Sequence, residues 1–263
     1  MGRTKRILIT ALAVLFGMGF SGMAGNANAQ TGQTLDLSWV QDGIRSLGFI
    51  TAQPFPYLAT IVGSQDAVWN LSEGELIYIK VASGKKVMAG DRLAVARVST
   101  EIKHPLTDKK IGQAVIFPGR IVVLDGNGPI VPAKIEKSFG AINHGDLISA
   151  LPPAPPPVVT VRAEGRLQGV VLTAVEDEWN ISEREVVFID RGTQDGVIMG
   201  DLFSIYSLPY YTEEMEKSKE KLPLLKVGEG VVITATPETS TMLVTKSTQA
   251  IYAGDTIVSG KGK

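Results

Sequence analysis

Apolar and β-branched residues occur along the chain in short runs, which are separated by turns rich in glycine, aspartate and asparagine. Leu76–Val81 is such a run, and Leu93–Val98 follows it after a glycine turn. Runs this short, with no long helical spacing between them, predict antiparallel strands in a sandwich or small barrel. Further runs lie at Ala114–Ile116, Ile121–Leu124, Val186–Asp190, Leu202–Tyr206, Val231–Ile233 and Thr241–Val244. The pattern therefore predicts an all-β fold.

This pattern of apolar and polar positions occurs twice in the chain as an internal repeat. Trp69–Glu73 (WNLSE) recurs 110 positions later as Trp179–Glu183 (WNISE). Gly-Asp pairs also recur just before strands, at Gly90-Asp91, Gly145-Asp146, Gly200-Asp201 and Gly254-Asp255. A shared pattern of this length predicts two tandem homologous copies of one small antiparallel β-barrel or β-sandwich domain.

The start of the chain has the features of a secretory signal peptide. A basic segment ends at Arg6, Ile7–Phe20 is apolar, and Ala27-Asn28-Ala29 has the small residues of a cleavage site. We expect cleavage after Ala29, export to the periplasm or the cell surface, and no transmembrane segment after cleavage. The sequence contains no cysteine, which excludes disulfides and a lipid-modified N-terminal cysteine.

A short amphipathic helix is predicted ahead of the first copy, with apolar residues at Leu37, Val40, Ile44 and Leu47. We expect this apolar stripe to pack on the first domain, and a partner or membrane surface is the alternative. Leu151–Pro157 is rich in proline, which favours a polyproline II spacer that keeps the domains apart or at a preferred angle. The predicted organisation is a signal peptide (1–29), an N-terminal extension with the helix (30–54), β domain copy 1 (55–151), a Pro-rich linker (152–160) and β domain copy 2 (161–260).

The two copies differ most in one hairpin. Lys103–Lys110 is predicted as a short polar turn in the first copy, whereas Pro209–Pro223 is longer in the second. Function is often added to a repeated scaffold in such a loop. We expect Tyr210, Tyr211 and Met215 to bind a protein partner, because aromatic residues anchor many interfaces. A solvated surface excursion is the alternative.

Four stretches carry a resemblance to known proteins: WNLSEGELIYIK (69–80), VMAGDRLAVAR (87–97), HPLTDKKIG (104–112) and KSFGAINHGDLI (137–148). They resemble the C-terminal region of bacterial exported proteins with a LysM peptidoglycan-binding module, in which tandem β domains flank a Pro-rich linker. Each copy is also similar to the C-terminal domain of flagellar assembly protein T, a periplasmic ring component. The likeness spans nearly all of residues 49–259. We find no LysM module, because residues 34–50 are far too few to hold one, so the resemblance does not imply glycan binding. It implies no flagellar location either, because only the domain type is shared.

Several acidic residues have both a chemical and a structural interpretation. The Gly-Asp pairs suit tight turns, where glycine takes a positive φ and aspartate binds backbone N–H groups; a calcium site would need six to eight oxygens. Asp125–Gly128 is likewise predicted as a hairpin turn rather than a calcium loop. Glu73 with Glu75, and Glu183 with Glu185, could form glycosidase pairs. A structural role is favoured, because Glu73 is expected to precede its strand and because duplication of an acid–base pair would give two separate sites rather than one cleft.

The remaining candidates also favour a structural interpretation. Trp69 and Trp179 are interpreted as hydrophobic plugs at one end of each domain, and stacking on glycan rings is the alternative. His104 and His144 lie in different turns and have few further ligands for zinc nearby in the sequence. The sequence has neither a Gly-x-Ser-x-Gly elbow nor a phosphate-binding glycine loop. We therefore expect no catalytic residue, metal or cofactor.

The net charge narrows the class of partner. It is −1 for the full chain and becomes −4 when residues 1–29, which include three basic residues and no acidic one, are removed. A mildly acidic chain argues against nucleic-acid binding, which favours basic patches. We expect a non-enzymatic adaptor or structural protein of the bacterial cell envelope, which binds envelope proteins or supports an assembly. A peptidoglycan- or glycan-binding module is the alternative, and a hydrolase is a third hypothesis.

Overall fold

A computed structural model describes residues 34–36, 48–67, 70–153, 156, 158–163, 165–175, 180–209 and 222–260. Within these ranges the regular elements are β-strands, apart from one 3₁₀ turn at Thr193–Asp195. The predicted all-β fold is therefore confirmed. The predicted signal peptide, the helix at residues 37–47 and most of the loop at residues 209–223 lie outside the described residues.

The strands coincide with the runs of β-branched and other apolar residues. In the first half of the chain they are β1 (Thr34–Asp36), β2 (Phe49–Thr51), β3 (Ala59–Ser64), β4 (Leu76–Val81), β5 (Arg92–Lys103), β6 (Lys110–Val123), β7 (Ile130–Ser138) and β8 (Leu147–Ser149). In the second half they are β9 (Val158–Thr160), β10 (Gln168–Ala174), β11 (Val186–Ile189), β12 (Leu202–Ser207), β13 (Leu225–Ala235), β14 (Ser240–Ser247) and β15 (Thr256–Ser259).

Strand β6 corrects one sequence-based prediction. The sequence predicted two separate strands, at Ala114–Ile116 and Ile121–Leu124. Both lie in the single strand β6, which ends at Val123, one residue before Leu124. Pro118 lies between them, and proline normally interrupts a sheet because it has no backbone N–H to donate. The pairing between β5 and β6 shifts register just before Gly119, so Pro118 lies in an irregular stretch and the strand continues past it.

Strands β3–β8 form a closed six-stranded ring with β2 added outside it. The sheet order is β2-β6-β5-β8-β3-β4-β7, and β6 also pairs with β7, which closes the ring. β2 pairs with Gln113–Val115, a part of β6 that extends beyond its pairing with β7. The interior of this first barrel is filled by buried aliphatic residues, which include Ile61, Ile79, Val95, Ile121, Val131, Ile135 and Ile148.

Strands β10–β15 form a second closed barrel, in the order β10-β11-β14-β13-β12-β15. This order matches β3-β4-β7-β6-β5-β8 of the first barrel strand for strand. We call two positions equivalent when they are 110 apart (β3–β5 and β10–β12) or 109 apart (β6–β8 and β13–β15). Ile61 pairs with Ile79 and the equivalent Val171 pairs with Ile189, and a register shift follows both pairs. The second barrel has its own buried core.

The predicted linker is partly a strand. β9 comes from it and pairs with β1, so the start of the described chain and the linker form a two-stranded ribbon. Leu35 and Val159 of this ribbon pack on the outside of the second barrel, against Ile233 and Leu243. This end of the linker is therefore bound to a barrel surface.

The two barrels are in contact, so the linker does not hold them apart. We call the outer end of the β5–β6 hairpin (residues 98–115), together with β2, the first arm. It packs against β10 and β11 of the second barrel through a buried cluster that contains Ile50, Ala114, Val170, Leu172 and Phe188 and is flanked by Ile102, Ile111 and Val175. At its edge, Thr241 Oγ1 donates a hydrogen bond to Gly48 O (2.8 Å).

Candidate functional site

The residues predicted to bind a partner or a glycan lie outside the described part of the chain. Tyr210, Tyr211 and Met215 belong to the loop between β12 and β13, and Trp69 and Trp179 precede β4 and β11. Their proposed roles therefore stay predictions. The described residues nearest that loop are the ends of the β12–β13 hairpin, where Leu208, Leu224 and Leu225 are exposed.

The four Gly-Asp pairs form the tight turns that were predicted for them. The φ angles of Gly90, Gly145, Gly200 and Gly254 lie between +88° and +97°, a range that glycine adopts without steric cost. Each aspartate accepts a hydrogen bond from the backbone N–H three residues earlier: Met88 to Asp91 (2.8 Å), Asn143 to Asp146 (2.8 Å), Ile198 to Asp201 (2.9 Å) and Tyr252 to Asp255 (2.9 Å). The prediction of a turn-forming role is confirmed.

The paired glutamates also hold backbone groups. Glu75 Oε2 accepts the N–H of Ser72 at 3.1 Å, and Glu185 Oε2 accepts the N–H of Ser182 at 2.8 Å. Glu73 lies before β4 and is exposed. A glycosidase needs two carboxyl groups that face each other across a substrate, about 5–10 Å apart. Glu75 and Glu185 instead accept hydrogen bonds from backbone N–H groups of their own turns.

The segment Asp125–Gly128 forms the turn between β6 and β7, as predicted. Asp125 Oδ1 accepts hydrogen bonds from Asn127 N (3.1 Å) and Asn127 Nδ2 (2.8 Å), and Gly128 has a φ of +100°. Within the described ranges, no cluster of three or more histidine, aspartate or glutamate side chains is arranged to hold a metal ion. Among the described residues, no helix is long and apolar enough to span a membrane.

His144 contacts a hydroxyl that the sequence did not connect with it. His144 Nε2 lies 3.0 Å from Ser64 Oγ, at the end of β3. Ser64 Oγ also lies 2.6 Å from Asp66 O, which accepts the only proton of the hydroxyl. His144 Nε2 is therefore the donor in the contact, whereas a base that activates a serine must accept its proton. The pair ties the turn before β8 to the end of β3.

His104, at the tip of the first arm, reaches the second barrel. Its Nδ1 accepts the N–H of Leu106 (3.2 Å), which places the ring proton on Nε2. Nε2 then donates to Asp190 Oδ2 at 3.3 Å. Asp190 also accepts Val170 N (2.6 Å) and Arg191 Nη1 (3.0 Å). The predicted polar turn is thus a contact between the barrels, and its partner 86 residues away leaves no local signal in the sequence.

The two barrels differ in the partners of an equivalent buried aspartate. Arg97 binds Asp146 through two hydrogen bonds, Nε to Oδ1 (2.8 Å) and Nη2 to Oδ2 (2.6 Å). The second barrel has Ser207 at the position equivalent to Arg97, and its hydroxyl donates to Asp255 Oδ1 at 2.7 Å. Burial raises the pKa of Asp255, and the hydrogen bonds from Tyr252 N and Ser207 oppose that shift. A carboxylate with neutral partners thus replaces an ion pair.

Two small cavities are lined by described residues. One of ≈160 Å³ lies beside Phe117, Arg120 and Phe139, and one of ≈290 Å³ lies beside Arg162 and Asp201. In the second cavity Arg162 Nε is 3.2 Å from Asp201 Oδ1, so the two charged groups are paired. Ligand pockets usually have volumes of roughly 300–1,000 Å³, so both cavities are small for a ligand site.

The most distinctive surface is a face of the first barrel that has no cover among the described residues. On the second barrel, the first arm covers Val170, Leu172, Phe188, Asp190 and Thr241, which we call the covered face. The equivalent residues of the first barrel are Thr60, Val62, Tyr78, Lys80 and Pro132, which we call the open face. Tyr78 is 39% exposed, whereas the equivalent Phe188 is 0% exposed. The sequence repeat did not predict either face, because both consist of outward-facing residues and the repeat does not tell which of these are covered.

No protein-family model matches this chain, and no curated protein is significantly similar to it. The resemblance to LysM-type exported proteins and to flagellar assembly protein T therefore stays a prediction from the four motifs.

Proposed function

We propose that this protein is an exported, non-enzymatic adaptor or structural component of the bacterial cell envelope, which binds protein partners or supports an assembly. The observation that carries the proposal is the contact between the two barrels, in which the arm of one covers an apolar face of the other. Such a fold offers surfaces for joining protein modules, and a repeated module can use the same mode of contact more than once.

The tandem organisation within this proposal is supported by matching contacts at equivalent positions. The Ser72–Glu75 hydrogen bond has its counterpart in Ser182–Glu185. The isolated bridge from Leu71 to Ile142 likewise corresponds to the bridge between residues 181 and 251. Contacts of this kind accompany the repeated sequence through both barrels, as expected for two copies of one domain with residue ranges 55–151 and 161–260.

The non-enzymatic part is supported by how the recurrent acidic residues are used. Asp91, Asp146, Asp201 and Asp255 all bind backbone N–H groups of their own turns. A carboxylate that accepts such hydrogen bonds contributes to folding, whereas a catalytic acid or base must reach the reacting group of a substrate. These four recurrent aspartates therefore have a structural role, which supports a non-enzymatic function.

We place the contact with an envelope protein at the loop 209–223, with Tyr210, Tyr211 and Met215 as its apolar residues. Leu208 and Leu224, which flank the loop, are both exposed. An aromatic and aliphatic surface of this kind suits a protein partner, because aromatic side chains bury a large area at a small entropic cost.

The experiment is a comparative pull-down from native envelope with the exported chain as bait. Deletion of residues 213–221 should leave the unfolding transition unchanged and abolish recovery of the partners that the wild type retains. The matched control is Met88→Ala, which removes an exposed apolar side chain from the first barrel and should keep those partners. Unchanged recovery after the deletion would remove the loop from the proposal.

A sedimentation assay with purified sacculi tests the glycan alternative in parallel. We expect the exported chain to stay in the supernatant. Pelleting that is lost in Trp69→Ala or Trp179→Ala, with the fold retained, would replace the adaptor proposal by glycan binding.

A further inference from the structure

We propose that the cavity beside Arg120 of the first barrel, which we call the Arg120 cavity, binds a carboxylate carried on an apolar group of about the size of a benzene ring. The ligand is an aromatic or branched aliphatic acid, either a small free acid or the carboxyl end of a peptide chain. This inference goes beyond the proposed function, because it names a ligand that the adaptor role does not require.

The size and the walls of the Arg120 cavity suit one apolar group. Its volume is ≈160 Å³, and its lining includes the side chains of Phe117, Phe139 and Leu151. A whole drug-sized ligand needs more room, but an apolar cavity of about 150 Å³ is large enough to bind benzene. The cavity therefore has room for a single ring or branched alkyl group.

Arg120 supplies the positive charge of the cavity. Its side chain is 17% exposed, and its ion-pair partner among the described residues is Glu136, with 3.7 Å between Nε and Oε2. That distance is too long for a hydrogen bond, and Nε is buried without a hydrogen-bond partner. The other oxygen of Glu136 lies 2.9 Å from Arg92 Nε. One carboxylate is thus shared by two guanidinium groups, which leaves an excess positive charge beside the cavity.

The ring of Phe139 places that charge next to the apolar walls. The Cζ atom of Arg120 lies 5.8 Å from the centre of the ring, a distance at which a cation is attracted to an aromatic face. A guanidinium group has five N–H donors and can bind a carboxylate through two parallel hydrogen bonds. A ligand with its apolar group in the cavity could therefore place a carboxylate on the terminal nitrogens of Arg120.

The second barrel shows that the fold does not require these residues. Polar or oppositely charged residues take the equivalent positions: Lys226, Glu229 and Thr248 replace Phe117, Arg120 and Phe139. Lys226 Nζ lies 2.6 Å from Glu229 Oε1, so the two charged groups pair with each other. The first barrel instead combines aromatic walls with an arginine whose partner is distant. Because the fold forms without this combination, we assign the combination to a ligand.

The chemistry of the walls favours a carboxylate over a phosphate. A phosphate would carry up to two charges and additional polar oxygens against Phe117 and Leu151, where no hydrogen bond replaces those lost from water. A carboxylate carries one charge and two oxygens, which match the single guanidinium group of Arg120.

The test is an NMR titration of the ¹⁵N-labelled exported chain with phenylacetate, which has both a ring and a carboxylate. We expect saturable shifts in the backbone N–H signals of Ala94, Gly119 and Phe139, which line the cavity. Phenylacetamide has nearly the same shape without the charge and should bind at least about tenfold more weakly, because hydrogen bonds to charged groups are the stronger ones. Acetate, which lacks the ring, should also bind more weakly than phenylacetate.

Substitutions at two positions connect the binding to the cavity. Arg120→Gln removes the charge and should weaken phenylacetate binding by at least about tenfold, whereas Arg120→Lys keeps the charge without the planar fork and should give an intermediate affinity. Leu151→Asp places a competing carboxylate at a 39% exposed wall position and should also weaken binding. The matched control is Lys85→Gln, which removes one positive charge from an exposed turn outside the cavity lining and should bind like wild type. Thermal unfolding monitors the fold, and Leu151→Asp carries the test if Arg120→Gln unfolds.

A tripeptide of two glycines and a C-terminal phenylalanine distinguishes the two sources of the carboxylate. Binding at least about tenfold tighter than that of phenylacetate would assign the cavity to a chain end, and equal or weaker binding would assign it to a small acid. The proposal is overturned if wild type shows no saturable shifts with either compound, if phenylacetamide binds as well as phenylacetate, or if neither Arg120→Gln nor Leu151→Asp weakens binding. These readouts need no envelope protein, so the outcome of the pull-down does not affect them.

Discussion

The second barrel is covered on two sides where the first barrel is open. The first arm buries Phe188, and the β1–β9 ribbon buries Ile233. The equivalent residues of the first barrel, Tyr78 and Leu124, are exposed. Inside the barrels the strand order, the register shift after Ile61 and Val171, and the Gly-Asp turns correspond. The comparison shows that the interior and the turns define the fold. The burial of an outward-facing residue depends instead on which segment packs against it.

The largest difference is expected at the equivalent pair Phe188 and Tyr78. Phe188→Ala empties a fully buried position between the barrels and should lower the free energy of unfolding by about 3–5 kcal/mol. Tyr78→Ala removes a partly exposed ring and should cost less than about 1 kcal/mol. Urea unfolding of both variants measures the difference. Equal losses would mean that the contact between the barrels is not formed in solution.

The next effect concerns the buried aspartates. Arg97→Ala leaves the Asp146 carboxylate, 5% exposed, without its ion pair, and should cost about 3 kcal/mol, the low end for such pairs because Arg97 is partly exposed. Ser207→Ala removes one hydrogen bond to Asp255 and should cost about 1.5 kcal/mol. The double variant Arg97→Ala, Asp146→Asn should recover part of the loss, since it removes the unpaired charge. If Ser207→Ala proves the more costly change, the comparison fails.

A smaller difference is expected between equivalent glycine turns. Gly90→Ala introduces only the strain of a positive φ, because a methyl group there meets open space, and should cost about 1 kcal/mol. The methyl group of Gly200→Ala would also overlap the carbonyl oxygen of Thr160 in β9. Displacing β9 should raise the total to about 2–3 kcal/mol. Chemical denaturation gives both values, and hydrogen exchange in β1 and β9 should accelerate only in Gly200→Ala.

The smallest effect is a dependence on pH that belongs to Asp255. Burial raises its pKa above the ordinary value of 3.8, so the folded protein binds this proton more tightly than the unfolded chain. Its contribution to stability is therefore full below the ordinary pKa and is lost as pH rises through the folded pKa. Asp255→Asn removes the contribution, so its free energy of unfolding relative to wild type should rise with pH across the acidic range. A relative value that stays flat or falls would contradict the sign.

The strands and the turns were predictable because their signals are local. Leu76–Val81 carries β-branched residues between turn residues, and β4 has these bounds. Gly90 and Asp91 occupy turn positions whose geometric requirements few other residue types meet as well. The merging of two predicted strands into β6 was not predictable, because Pro118 gives the same local signal in a bulge as in a turn.

The contacts between elements were not predictable because their partners are far apart in the sequence. Phe188 looks like a core residue of its own strand, and the sequence does not show that Ile50 covers it. The candidate site was predicted from the aromatic residues of a long loop. That signal is one of composition and does not predict how the loop is placed. The open face became visible only when equivalent positions could be compared for exposure, as with Val62 and Leu172.

The pairing of β1 with β9 has a consequence for the order in which the chain can fold. Asp36 forms its ladder with Val158, so the strand that is made first waits until the whole first barrel and the linker have been synthesised. The first barrel can close in the meantime, because all of its strands lie between these two. The β1–β9 ribbon then attaches the segments before and after the first barrel to the outside of the second barrel. Formation of the ribbon is therefore a late, long-range step, which slows completion of the native state.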